Sequence, residues 1–63
     1  MITYKVTTMF QADWNNLFDV MFPDKQHCFS EISENVAKFG FEDSAVTPVD
    51  LGPLVRVELI QNP

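Results

Sequence analysis

From Asp13 to Asp24 the chain reads DWNNLFDVMFPD, crowding Trp14, Leu17, Phe18, Val20, Met21 and Phe22 into one short segment closed by Pro23. Whatever these side chains pack against organises the fold. At 100° per residue Trp14, Leu17, Phe18 and Met21 gather on one side while Asn15, Asn16 and Asp19 share the opposite arc, the pattern of an amphipathic helix. The competing reading is a hairpin turning at Asn15-Asn16. It sets Ala12 against Asp19 and Gln11 against Val20, mixing polar with apolar residues at successive rungs. Asn-Asn also lacks the glycine that a type I′ turn favours. A short helix is therefore expected, with Asp13 capping its free N–H groups and Pro23 forcing Phe22 out of helical geometry.

The flanks supply the other elements. Ile2 to Phe10 alternates, with Ile2, Tyr4, Val6, Thr8 and Phe10 on one face, and predicts a half-buried strand. Phe29, Ile32, Val36 and Phe39 follow Asp24 at spacings of three and four. They predict a second helix over about residues 25–39, capped by Asp24, laced by Glu34 and Lys38, stopped by Gly40 and clasped by Phe41. Ala45 to Val49, interrupted by Pro48, reads as a short edge strand. Asp50 to Pro53 reads as a turn with Gly52 at positive φ. Leu54 to Gln61 alternates again, with Val55, Val57 and Leu59 opposite Arg56 and Glu58, ahead of a tail at Asn62 and Pro63. The expected fold class is α+β: a single domain over 1–63, β-α-α-β-β, with two helices on one face of a three-stranded sheet. The alternative is β-β-α-β-β, one helix on four strands.

A chain of 63 residues buries only about 60% of the surface it exposes when unfolded, so its core must be compact. Its 46% hydrophobic content and two glycines belong to an ordered domain. The lone Cys28 has no disulfide partner within the chain, which points to a reducing, cytoplasmic setting. The alternating N-terminus is a poor signal peptide, and the run from Leu17 to Phe22 is too short to span a bilayer. Nine acids against Lys5, Lys25, Lys38 and Arg56 leave a net charge of −5. That balance disfavours direct contact with nucleic acid or anionic membranes and favours basic protein surfaces.

Little in the sequence carries catalytic chemistry. His27 and Cys28 are neighbours, but on a helix adjacent side chains diverge by about 100° and do not converge on one substrate atom. Cys28, at the margin of the apolar stripe, reads as a small buried hydrophobe. His27 and Glu31 at i,i+4 offer two metal ligands without a third or fourth. The carboxylates read as solvated charge, and the two glycines form no phosphate-binding loop. The aromatic residues lack the basic groove that accompanies base stacking and read as core. No enzyme activity, metal or cofactor is expected.

Interaction is what remains. Trp14, Phe18, Met21 and Phe22 on the first helix are candidate apolar residues for a partner, the competing role being the lid of the core. The uncovered sheet face, with Thr3, Lys5, Thr7, Met9, Leu54, Arg56, Glu58 and Ile60, is a second candidate surface. Asp19, Glu31, Glu34, Glu42 and Asp43 are candidate acidic residues for a basic partner, including a nucleic-acid-binding protein whose site they would occupy as a phosphate mimic. The expected function is a non-enzymatic module that occludes a site on another protein. At the level of class alone, such a chain resembles the small acidic regulators with which bacteriophages and mobile elements block host proteins. Self-assembly through a sheet edge, including a homodimer, is the reading from a different class.

Overall fold

β1 (Ile2–Thr8), α1 (Trp14–Met21), β2 (Phe29–Ile32), β3 (Val36–Phe41) and β4 (Val55–Gln61) follow one another along the chain. They were traced in a computed structural model that describes residues 2–23, 25–42 and 45–61. The four strands form one antiparallel sheet in the order β2-β3-β1-β4. Since β1 and β2 each run antiparallel to the β3 between them, α1 is a crossover that carries the chain past β3 to the sheet edge. Residues 45–54 lie on the second crossover, from β3 past β1 to the opposite edge. Both connections lie on the same side of the sheet, so the core forms between them and one sheet face.

The class is α+β, with one helix and four strands among the described residues where two helices and three strands were expected. The first helix stands where its periodicity placed it. The Leu17 N–H donates to Asp13 O at 2.9 Å, and the helix ends with the Phe22 N–H on Phe18 O at 2.8 Å, just before Pro23. Asp13 occupies the N-cap position, but its carboxylate makes no cap bond; it accepts from Asn16 Nδ2 at 2.7 Å instead.

The second helix is not formed. Residues 29–41 make the β2–β3 hairpin, with Ile32 opposite Ala37 and the Ser33 N–H on Val36 O at 2.8 Å, closed by Glu34 and Asn35. The apolar stripe expected on one helical face is thereby split. Ile32 and Phe39 fall on the face toward α1, Phe29 and Val36 on the other. Gly40 ends no helix: it sits inside β3 with the Phe29 ring across it, in the space a Cβ would take. Phe41 is a fully buried strand residue. Cys28, expected to be buried, is exposed, and its N–H and thiol both reach Gly40 O, at 2.7 and 3.2 Å.

Residues 45–50 are irregular rather than an edge strand. They are held to the core by the Tyr4 hydroxyl on Val46 O (2.6 Å) and the Val49 N–H on Met21 O (2.9 Å). The turn at Gly52 forms as expected: φ is +96°, and the Gly52 N–H donates to the Asp50 carboxylate at 2.9 Å. β1 stops at Thr8, short of Phe10. The expected cap at Asp24 and the tail at Asn62 and Pro63 lie outside the described residues.

Candidate functional site

The structure places all four apolar candidates in the core. Met21 and Phe22 are about 1% exposed, Trp14 and Phe18 8%. Phe18 lies 4.8 Å from Phe39 and 5.2 Å from Phe22 between ring centroids, and Phe22 lies 4.9 Å from Phe41, so these rings form one aromatic cluster beneath α1. Trp14 also donates from Nε1 to Ser33 O at 2.9 Å, which ties the start of the helix to the β2–β3 turn. A side chain packed in this way offers a partner almost no area, so a binding surface has to be built from its neighbours.

The acidic candidates are exposed but separated. Asp19 is on α1, Glu31 on the uncovered sheet face, Glu34 in the hairpin turn and Glu42 beyond the far end of β3. Glu34 and Glu42 thus stand apart by the length of β3, roughly 20 Å for six residues. Asp43 lies outside the described residues. On the uncovered face Thr3 is buried and Lys5, Thr7 and Glu58 are partly covered, while Met9, Leu54, Arg56 and Ile60 are exposed.

An apolar groove does open beside the helix. Past the end of β1, the Thr8 hydroxyl and Asn35 Nδ2 both donate to Phe10 O at 2.7 Å, fixing the backbone there while the Phe10 ring stays 39% exposed. The chain then runs through Ala12 into α1, whose outer side presents Leu17 and Val20. Phe10, Ala12, Leu17 and Val20 line a shallow groove of about 260 Å³, with Asp13 and Asn16 among its polar lining. Val20 is 53% exposed, the largest exposed apolar residue of the helix. Phe10 and Val20 are not among the residues the sequence singles out for a partner, though it carries two signals for them: Val20 falls outside the stripe formed by Trp14, Leu17, Phe18 and Met21, and Phe10 is the last apolar residue of the first alternating run.

A second depression, about 430 Å³ and more polar, is lined by Asn15, Phe18, Asp19, Lys25, Gln26 and His27. The His27 ring stands edge-on to Phe18 at 4.8 Å and to Phe39 at 5.6 Å, whereas the Cys28 thiol turns to Gly40 O. The two neighbours therefore engage different groups. Among the described residues no three histidines, cysteines or carboxylates gather as a metal site would require. No helix of the described residues is long and apolar enough to cross a membrane. No protein-family model, curated protein or solved structure matches this chain.

Proposed function

We propose that this chain is a non-enzymatic protein-binding module that takes an apolar side chain of another protein into the groove between the β1–α1 connection and the outer side of α1. The observation that carries this reading is the pair Phe10 and Val20, two large apolar side chains left exposed on either side of one depression. A volume of about 260 Å³ falls below the roughly 300–1,000 Å³ usual for small-molecule pockets and suits a single large side chain. The net charge of −5, with Asp13 in the groove and Asp19 exposed next to Val20, favours a partner whose apolar anchor is flanked by lysine or arginine. Occupation of such a segment would mask it from its other ligands, which is the regulatory consequence of binding.

The test compares capture from lysate by the immobilised wild-type chain and by Val20→Asp, at low and at high salt. Val20 contributes little to the core, so the variant keeps its fold, checked by circular dichroism. A partner held by the wild type at both salt concentrations and lost by Val20→Asp is the expected result, with affinity reduced at least about tenfold. Capture that is indifferent to Val20→Asp but collapses in high salt would replace the groove with an acidic, phosphate-mimicking contact.

A further inference from the structure

We infer that β4 is the docking edge for a second copy of this chain, joined antiparallel about a two-fold axis centred on Val57. The ladder itself identifies the available groups. The Met9 N–H donates to Leu54 O at 3.0 Å, and the β1–β4 register continues through Thr7 opposite Arg56 and Lys5 opposite Glu58. Antiparallel ladders alternate bonded and non-bonded pairs, so Leu54, Arg56 and Glu58 direct their backbone groups to β1, while Val55, Val57 and Leu59 direct theirs away from the sheet. No described strand lies on that side. A turn bond from the Val55 N–H to Gly52 O, at 3.3 Å, is long enough to exchange for a better one.

The side chains then select the register. Centring the two-fold on Val57 sets Val57 against itself, Val55 against the second copy's Leu59, and Arg56 against the second copy's Glu58, twice. Val55, Val57 and Leu59 are the residues whose backbone groups face out of the sheet. Their side chains share the face toward α1, where Leu59 is 47% exposed in the single chain and would be covered. Arg56 and Glu58 share the other face, already paired within the strand at 3.0 Å, and the second copy would close them into a ring of four alternating charges. Shifting the centre by one residue toward either end opposes Arg56 to Arg56 or Glu58 to Glu58, and like charges directly opposite are unfavourable. The bulge at Ile60, between the rungs Tyr4–Leu59 and Thr3–Gln61, ends the regular edge just beyond this stretch.

The other edge does not offer the same fit. β2 has four residues and carries Glu31 as its only charge, so a second copy's β2 would bring no cation to the contact. Pairing β2 with β4 of another copy would be head-to-tail and would propagate rather than close. The β4 pair closes, giving eight strands with both helices on one side.

The experiment measures mass against concentration by light scattering for the full chain, with three cysteine variants made on Cys28→Ser. Val57→Cys should form a disulfide-linked dimer on mild oxidation, since its Cα atoms would lie about 5.5 Å apart across a bonded pair, and Arg56→Cys and Glu58→Cys should not. Arg56→Glu should weaken dimerisation about tenfold, and adding Glu58→Arg together with Lys5→Glu, which keeps the rung between positions 5 and 58 oppositely charged, should restore it. A mass that stays monomeric at all concentrations overturns the inference, as does faster cross-linking at 56 or 58, or failure of the charge exchange to restore the dimer. Val20→Asp should leave the dimer intact, which separates this edge from the groove.

Discussion

The two faces of the sheet are held by different physics. On the face toward α1, Val6, Ala37, Phe39, Phe41 and Val55 meet Trp14, Phe18, Met21, Phe22 and Val46, all less than 9% exposed. On the other face, the Phe29 ring lies over Gly40 beside Thr3, and the next row across the sheet reads Glu31, Lys38, Lys5, Glu58. Burial of aromatic and aliphatic area stabilises the first face and charge pairing arranges the second. Changes are therefore tolerated unequally: the first face sets whether the chain folds, whereas the second has room to carry pairing information to a neighbour.

The largest loss of stability is expected on the covered face. Phe41→Ala should remove about 3–5 kcal/mol, because the ring is wholly buried and stacked near Phe18 and Phe22. Small domains have only about 5–15 kcal/mol in total, and a chain this short lies toward the lower end. Urea unfolding followed by Trp14 fluorescence should show the midpoint falling to low denaturant or the transition disappearing. An unchanged midpoint would mean that the aromatic cluster is not what holds the fold.

On the second face the largest effect is expected at Gly40. A methyl group there collides with the Phe29 ring, and displacing the ring should cost about 1–2 kcal/mol. In a Phe29→Ala background the same Gly40→Ala change should be neutral or stabilising by up to about 1 kcal/mol, since glycine in a strand is otherwise a liability. The double-mutant cycle isolates the contact. Equal costs in both backgrounds would rule out the ring as the reason for the glycine.

The same region explains how far the sequence could be read. Trp14 to Met21 was legible as a helix because every polar residue falls in one sector, and a hairpin at Asn15-Asn16 would have mixed the faces. Phe29 to Phe41 satisfied two periods at once. Phe29, Ile32, Val36 and Phe39 fit a helical stripe, yet Ala37, Phe39 and Phe41 alternate with Val36, Lys38 and Gly40, and Phe, Ile and Val favour strands. Gly40 suited a helix stop as well as it suits a bed for the Phe29 ring. The choice between them lies in pairing with β1, a contact distant in sequence that no local pattern displays. Phe10 was misplaced for a related reason: alternation continues to it, but Asn35 from the hairpin bonds Phe10 O and turns the chain away after Thr8. Strand order, and with it the identity of β4 as an edge, is likewise nonlocal. The groove was half legible, through Val20 outside the buried stripe.

The smallest effect should come from the charged row, where it tests whether the second face is arranged by charge. Lys5 and Lys38 stand directly opposite one another in the β1–β3 register, an unfavourable pairing in isolation, and each has a carboxylate on its other side, Glu58 and Glu31. Glu31→Gln removes one flank without touching the β4 edge, and should cost about 0.2–0.5 kcal/mol at low salt. Glu31→Lys aligns three cations and should cost about twice as much. Both losses should shrink toward zero as salt is added, since these groups are exposed or only partly covered and a Debye length of about 10 Å at 0.1 M falls further with concentration. A loss that persists in high salt would have to arise from packing around Phe29 and Lys38, and would make the two faces more alike than the charge pattern implies.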